Sequence, residues 1–250
     1  MYEVIQDPAG DQFQEAWRAA GQHMQRLGGE GISWIRADLN PPLAEHLSFR
    51  LGNQLVFVYI EVSGGIESPS SKQLFAKACA EATAVAAVML MEPSGRTFQP
   101  VYGGWGLRDA RTQATIDPPS LVSDAKIEMS DWEVHDFAIQ IVESQIKKSG
   151  NTILSKQPSP HIDPSLWFRD RQGPAFVIVR SGRFPLSDAP RPANIAEIAA
   201  SCAKMSRRGF FASVTVANAE QQSAPASRGS IPLYRGHGIV VRYTGIEPLQ

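Results

Sequence analysis

The sequence has few cysteines, almost no net charge and no long apolar run, and each of these absences argues against a class of protein. Two cysteines among 250 residues make neither a disulfide framework nor a metal site by themselves. A formal net charge of −1 gives no overall positive field for nucleic acid. Because no apolar run has the length of a transmembrane helix, we expect no membrane partner. The first residues are acidic, whereas an export signal is basic and then apolar, so we expect a cytoplasmic protein of bacterial style.

An internal repeat is the most informative feature that is present. Gly31–Arg50 aligns with Gly150–Arg169 without a gap, and glycine, proline, leucine, phenylalanine and arginine coincide along it. Further matches follow in the same order: FVYIEVSG with FVIVRSG, AKACAEAT with AASCAKMS, and PVYGGWG with PLYRGHG. The match of AKACAEAT with AASCAKMS places Cys79 on Cys202, at apolar positions of a helix in each copy. We therefore predict two diverged copies of one unit, with both cysteines acting as inert core residues.

Each copy has the pattern of a helix, three strands, a helix and two strands. A capping box of Ser130 and Glu133 opens one helix, which Gly150 ends. Helical spacing predicts its counterpart over about Asp11 to Leu27. The second helices have similar starting residues, Ser70 with Gln73 and Asn194 with Glu197, and the hairpin turns before them contain Gly52-Asn53 and Gly173-Pro174.

These elements predict an α/β (α+β) protein built by tandem duplication of the unit, with mixed sheets and a pseudo-twofold arrangement. Nearly continuous apolar strands such as LVFVYIEV are typical of strands that are covered on both faces. We place the first repeat at residues 1–112 and the second at residues 130–250. Residues 113–129, rich in Asp, Pro and Ser, form the predicted linker.

The stretch DPSLWFRDRQGPAFVIVR in the second copy resembles the core of the restriction-endonuclease-like nuclease superfamily. In that superfamily an acid opens a hairpin and a Glu-x-Lys trio follows on the next strand. The two carboxylates hold magnesium, and the lysine polarises the attacking water. Asp163 matches the first acid and Arg180 stands at the lysine position, while Ile178 stands where the second acid belongs.

The first copy departs further from this motif, with Glu45 near the first acid and Tyr59 with Glu61 in place of the Glu-x-Lys trio. Neither copy has the complete set, so the resemblance concerns fold more than activity. The same order of elements also resembles secretion-chaperone-like folds, which bind polypeptides and catalyse nothing.

Two further groups of residues are candidates for binding. Closely spaced glycines let a backbone approach a ligand, although a bulged edge strand explains the two Pro-apolar-Tyr-x-Gly-aromatic-Gly segments more simply. The candidate residues there are Tyr102, Gly104, Trp105, Tyr234, Gly236 and His237, the last of which stands at the Trp105 position and suggests aromatic packing. The second group contains four arginines with two aromatic residues among them and suits nucleic acid or an acidic protein segment: Arg169, Arg171, Arg180 and Arg183 with Trp167 and Phe168. The alternative is a solvated rim, paired with Asp163, Asp170 and Asp188.

The leading hypothesis is a non-catalytic protein-binding or assembly module with an unidentified protein partner and no cofactor. The alternative is a divalent-metal-dependent, nuclease-like enzyme that uses magnesium, or a nucleic-acid-binding protein with an incomplete motif. Its candidate catalytic residues are Asp163, Arg180 and His161. A small-molecule binder that uses the glycine-rich segments is a third hypothesis.

Overall fold

The computed structural model describes residues 9–41, 43–222 and 229–249, which form two compact units. The N-terminal unit contains residues 9–39 and 43–127, and the C-terminal unit contains residues 40–41, 128–222 and 229–249. Within these ranges, no helix is both long enough and apolar enough to cross a membrane.

The N-terminal unit is a mixed sheet with helices. Its described elements are α1 (Asp11–Gly28), β1 (Ile32–Arg36), β2 (Leu47–Leu51), β3 (Gln54–Val62), α2 (Lys72–Ala82), β4 (Val85–Ser94), β5 (Thr97–Pro100), β6 (Leu107–Asp109), β7 (Thr115–Ile116) and α3 (Pro118–Leu121). The strand order is β1-β2-β3-β4-β6-β7, and β5 pairs with β4 beyond β6. Strands β3 and β4 are parallel because α2 returns the chain between them, and the other described pairs are antiparallel.

Apolar side chains cover both faces of this sheet, as the sequence predicts for its central strands. The buried stripe of α1 includes Phe13 and Met24 and packs in one cluster with Phe49 of β2. On the other face Phe75 of α2 contacts the ring of Tyr59, with the ring centroids 5.4 Å apart. The burial of apolar area on both faces supplies the main driving force for folding of the unit.

The C-terminal unit repeats this plan with fewer strands. Its elements are α4 (Asp131–Lys148), β8 (Thr152–Lys156), β9 (Leu166–Asp170), β10 (Gly173–Arg183), α5 (Ile195–Cys202), β11 (Gly209–Asn218) and β12 (Ile239–Pro248). The sheet order is β12-β11-β10-β9-β8, with β10 parallel to β11 and the other pairs antiparallel. Helix α4 packs on one face through Ala138 and Val142, while α5 packs on the other through Ile198 and Cys202.

The helices and the two mixed sheets confirm the α/β class, and the two units share strand order and hairpin register. Leu47 pairs with Val58 in the first hairpin, and Leu166 pairs with Val177 in the second. In each unit a helix then crosses over to a parallel strand. These shared features support the predicted duplication, which itself stays a prediction.

Several local predictions are confirmed and others are wrong. The Ser130–Glu133 capping box and the turn at Gly52-Asn53 are present. The cap of α2 is Ser71, one residue later than predicted, and its Oγ accepts a hydrogen bond from the amide of Leu74. The side chain of Asn194 makes no capping hydrogen bond to α5.

The segment predicted as a linker carries structure of the N-terminal unit. Strand β7 lies within residues 113–129 and pairs with β6. The side chain of Asn53 bonds to Ser123 and to the carbonyl of Ala125, which holds the end of this segment against the first hairpin turn. The division between the units therefore falls between Ile127 and Glu128.

Candidate functional site

Asp163 and Arg180 form a two-pronged ion pair in the C-terminal unit. Arg180 projects from β10, and its Nη1 and Nη2 donate to Oδ1 and Oδ2 of Asp163 at 2.9 and 2.6 Å. The two side chains are 21% and 16% exposed, so the pair is largely withdrawn from solvent. Parallel hydrogen bonds of this kind are among the strongest that a carboxylate makes. Both oxygens that the resemblance assigns to a metal are thus engaged by a guanidinium.

A buried histidine of α4 lies near this ion pair. His135 of α4 is 1% exposed, and its Nδ1 lies 3.5 Å from the hydroxyl of Ser181. Its Nε2 is buried without a hydrogen-bond partner among the described residues. Burial, assisted by the charge of nearby Arg180, lowers the pKa of His135 to about 4, with Asp163 acting in the opposite direction.

The structure therefore pairs two of the three residues that the sequence proposes as catalytic, Asp163 and Arg180, whereas His161 is exposed and makes no hydrogen bond or ion pair to either of them in the described part of the chain. It adds His135, which the sequence analysis missed because the residue reads as part of an ordinary helix. Ile178 lies in the core at 0% exposure and packs with α5, so the position of the second acid is filled by apolar packing. In the described part of the chain, no three His, Cys, Asp or Glu side chains converge as a metal site.

The corresponding region of the N-terminal unit is more deeply buried. Glu45 is 1% exposed and accepts a hydrogen bond from Nε of Arg36 at 3.0 Å, while its second oxygen, Oε2, has no described partner. Tyr59 donates its hydroxyl hydrogen to the carbonyl of Ser70, and Glu61 forms an ion pair with Lys72. These contacts fix the side chains that the sequence places at the degenerate motif.

His46 lies against two serines, an arrangement that the sequence analysis did not foresee. Its Nε2 is 3.0 Å from the hydroxyl of Ser70 and 3.1 Å from that of Ser68. Its Nδ1 accepts the amide hydrogen of Ile60 at 2.8 Å, so the proton of the neutral ring must reside on Nε2. The ring stays neutral because burial, assisted by Arg36, lowers its pKa to about 3. His46 therefore donates to a serine hydroxyl and cannot act as a base toward it.

The two Pro-apolar-Tyr-x-Gly segments form turns, so their interpretation as bulged strands is wrong. In the first, Gly104 and Gly106 have positive φ between β5 and β6, where the chain reverses. Tyr102 is half-exposed under the guanidinium of Arg108, at 4.0 Å from its ring centroid. Trp105 is 7% exposed and stacks on Phe49, as a packing role requires.

The second turn precedes β12. Gly236 again has positive φ, and the ring of His237 lies 5.5 Å from that of Tyr234. Arg235 is 5% exposed and binds Glu133, with Nε at 3.0 Å from both carboxylate oxygens and Nη2 at 2.8 Å from Oε2. Sequence reasoning missed this buried pair because an arginine in a glycine-rich turn reads as exposed.

Arg169 and Arg171 lie at the other end of the sheet from Asp163. Both are exposed; Arg169 lies near the end of β9, and Arg171 lies in the hairpin turn between β9 and β10. Of the predicted rim partners, Asp163 pairs with Arg180, Asp170 with Arg208 and Asp188 with Arg242. The two candidate arginines themselves have no ion pair with a described residue.

A cleft of about 570 Å³ lies beside α5 in the same unit. Five of its lining residues are apolar and two are charged, and they come from α5, the loop before it and the end of β12: Arg191, Ile195, Ala196, Ala199, Glu247, Pro248 and Leu249. The guanidinium of Arg191 lies 4.6 Å above the ring of Phe211 and also binds Glu247.

No curated protein and no solved structure matches the chain. A family model described as Domain of unknown function (DUF8840) matches residues 132–249, slightly less than half of the chain. The matched residues run from α4 to the last described residue after β12, so the C-terminal unit is the part of this protein that is similar to that family.

Proposed function

We propose that this protein is a non-catalytic protein-binding or assembly module, built on α/β units of nuclease-like or secretion-chaperone-like order. The observation that carries the proposal is the double hydrogen bond from Arg180 to both oxygens of Asp163. A carboxylate must offer its lone pairs to bind magnesium, whereas here both oxygens already accept from a cation. The guanidinium makes Asp163 a structural partner, and the buried Ile178 supplies no second ligand.

The cleft beside α5 is the surface that supports binding of a polypeptide. Five strands spaced about 4.8 Å apart span roughly 19 Å, whereas one helix covers about 10 Å. Helix α5 has only 8 residues, about 12 Å of helix, and packs over Trp167 of β9, Phe176 of β10 and Phe211 of β11. One face of the sheet therefore stays partly uncovered toward β12, where the cleft lies.

The occupant that we assign to this cleft is the apolar face of a partner helix. Side chains of α5 and Leu249 offer an apolar surface. At the rim, Arg191 and Glu247 provide one positive and one negative charge, which can contact polar side chains beside the apolar face of the partner helix. An amphipathic helix that lies in a groove presents this combination of an apolar stripe and charged edges. The two free, buried cysteines are in keeping with a reducing cytoplasm, where we place the protein.

The catalytic alternative is tested by nuclease assays with magnesium or manganese on the native protein and on Asp163→Asn. We expect no metal-dependent turnover from either protein, and a lower unfolding free energy for the variant because Arg180 loses its counter-ion. Turnover by the native protein that Asp163→Asn abolishes, while the variant stays folded by circular dichroism, would establish the nuclease-like enzyme instead.

The binding role is tested with a photo-cross-linking residue at Ala196, which lies in the cleft, and at the exposed Ser144 of α4 as a control. A protein captured only from position 196 is then purified and titrated against the native chain. We expect Ala199→Arg to weaken that binding at least tenfold and Ala200→Arg, on the exposed side of the same helix, to leave it unchanged. Equal affinity for both variants would reject the cleft as the binding site.

A further inference from the structure

Three segments that connect helices and strands meet at one end of the sheet in the C-terminal unit. The hairpin from β9 to β10 closes there, with Asp170 opposite Gly173. The loop that leads from α5 to β11 is tied to this hairpin, because Arg208 donates to Asp170 and its carbonyl accepts from the amide of Phe176. The end of α4 reaches the same place, since β8 begins four residues after Lys148, with Thr152 paired to Arg169.

The exposed charges at this end are mostly positive. Five exposed cations have no ion pair with a described residue and come from all three connections: Lys148, Arg169, Arg171, Lys204 and Arg207. The acid in the hairpin, Asp170, is already held by Arg208, whose hydrogen bonds lower the pKa of that carboxyl to about 2. Asp170 is therefore ionised at neutral pH, but its charge is met by a sixth cation. We call the five unpaired cations the basic end.

The basic end extends across the thickness of the unit. Lys148 lies on the α4 side, Arg169 and Arg171 on the sheet, and Lys204 with Arg207 on the α5 side. Because a helix with its side chains is about 10 Å across, these cations spread over roughly 20 Å. A row of this length suits a ligand with regularly spaced negative charges, and arginine forks match phosphate oxygens.

We infer that the basic end binds the phosphate backbone of double-stranded nucleic acid, independently of the cleft beside α5. The nearby aromatic rings of Trp167 and Phe168 are only 3% and 2% exposed, so they cannot stack on the bases of a single strand. Protein hot spots likewise need accessible aromatic or apolar anchors, which these rings do not provide. A duplex backbone needs only cations and carries its charges at fixed spacing, which favours recognition without sequence preference.

The test is fluorescence anisotropy of the full-length protein with two labelled DNA duplexes of about 20 base pairs and unrelated sequence. If about five phosphates are neutralised, the logarithm of the affinity falls with the logarithm of salt concentration with a slope near −4.5. Between about 50 and 200 mM salt this corresponds to a loss of roughly 500-fold. We expect both duplexes to bind equally.

Charge-reversal variants test whether the basic end is the surface that binds the duplex. Arg171→Glu with Arg207→Glu should weaken duplex binding at least tenfold and make the salt slope shallower by about two. Arg96→Glu, which reverses an exposed arginine in the β4–β5 turn of the N-terminal unit, is the matched control and should bind as the native chain does.

Three results would overturn the inference. The first is a lack of duplex binding at about 50 mM salt by protein whose circular dichroism is native. The second is duplex binding that survives the double charge reversal. The third is tighter binding of a labelled poly-glutamate peptide than of duplex, which would assign the basic end to an acidic polypeptide. These readouts are separate from the test of the α5 cleft, because Ala199 and Ala200, the residues substituted there, lie outside the basic end.

Discussion

His46 and Ser165 accept the same backbone hydrogen bond in the two units. Nδ1 of His46 accepts from the amide of Ile60 at 2.8 Å, and Oγ of Ser165 accepts from the amide of Val179 at 3.1 Å. In both cases the acceptor precedes the donor by 14 residues. The amides of these two acceptor residues also donate to equivalent carbonyls, each at 3.1 Å. A histidine and a serine thus perform one structural task, which favours a structural role for the buried imidazole.

Replacing Ser165 by alanine should lower the unfolding free energy by about 1–3 kcal/mol. The hydroxyl is fully buried, and its loss leaves the amide of Val179 without its partner in the protein interior. Urea unfolding followed by circular dichroism measures the change. Ser144→Ala on the exposed side of α4 is the control and should change stability by less than about 0.5 kcal/mol. Equal effects of the two substitutions would contradict the role of this hydrogen bond.

Stability should fall as pH drops from about 6.5 toward 4. His46 and His135 have folded-state pKa values of about 3 and 4, below the ordinary value of 6.5. In this window the unfolded chain takes up protons that the folded chain does not bind. Each histidine then contributes a loss of up to about 1.4 kcal/mol per pH unit.

His46→Asn tests this assignment, because the amide oxygen can still accept from Ile60 but does not titrate. Unfolding free energies measured from pH 8 to pH 4.5 should decline less steeply for the variant than for the native protein. The difference in unfolding free energy between the two proteins at pH 8, where neither state binds the extra proton, measures the effect of the altered packing alone and is subtracted. Parallel curves for the two proteins would show that His46 is not the group that takes up the proton on unfolding.

Glu133→Gln should destabilise the C-terminal unit by about 3–5 kcal/mol, because buried Arg235 would lose the charged carboxylate to which its Nε and Nη2 donate. The double variant with Arg235→Met should recover most of the loss, since it removes the charge and keeps apolar volume. Asp131→Asn, in the exposed first turn of the same helix, is the control and should lower the unfolding free energy by less than about 1 kcal/mol. A double variant no more stable than Glu133→Gln would contradict this account.

Both cysteines should be unreactive in the native protein. Burial, with a contribution from Glu45, raises the pKa of Cys79 to about 12, and burial with Asp163 raises that of Cys202 to about 11. Little thiolate exists at neutral pH, so Ellman's reagent should label the folded chain far more slowly than free cysteine. Two equivalents should react in urea. Rapid labelling of either thiol without unfolding would rule out the core assignment.

The elements that could be predicted are those whose signal is local. Helix α4 begins at its capping box, and α1 runs over Asp11–Gly28, close to the range that helical spacing predicts. The hairpin at Gly52-Asn53 follows from its turn residues, whereas the second turn lies at residues 171–172, two positions before the predicted glycine. These signals depend on a few neighbouring residues, so one sequence suffices to detect them.

The contacts that define the candidate site depend on residues far apart in the chain. The ion pair of Asp163 with Arg180 could be anticipated because Asp163 is among the predicted partners of the arginine group and because the resemblance places both residues in one motif. Arg235 meets Glu133 across 102 positions, and nothing near either residue indicates the other. His46 is similar, since its buried position is created by tertiary packing against the rings of Phe13 and Tyr59.

The pairing of β7 with β6 determines where the protein can be divided. A fragment that ended at residue 112 would lose β7 and the Ser123 and Ala125 partners of Asn53. Strand β6 would then present unpaired backbone groups, a template for aggregation through edge-to-edge pairing. A cut between Ile127 and Glu128 therefore keeps β7 with its own unit, while residues 40–41, which group with the C-terminal unit, stay on the first fragment.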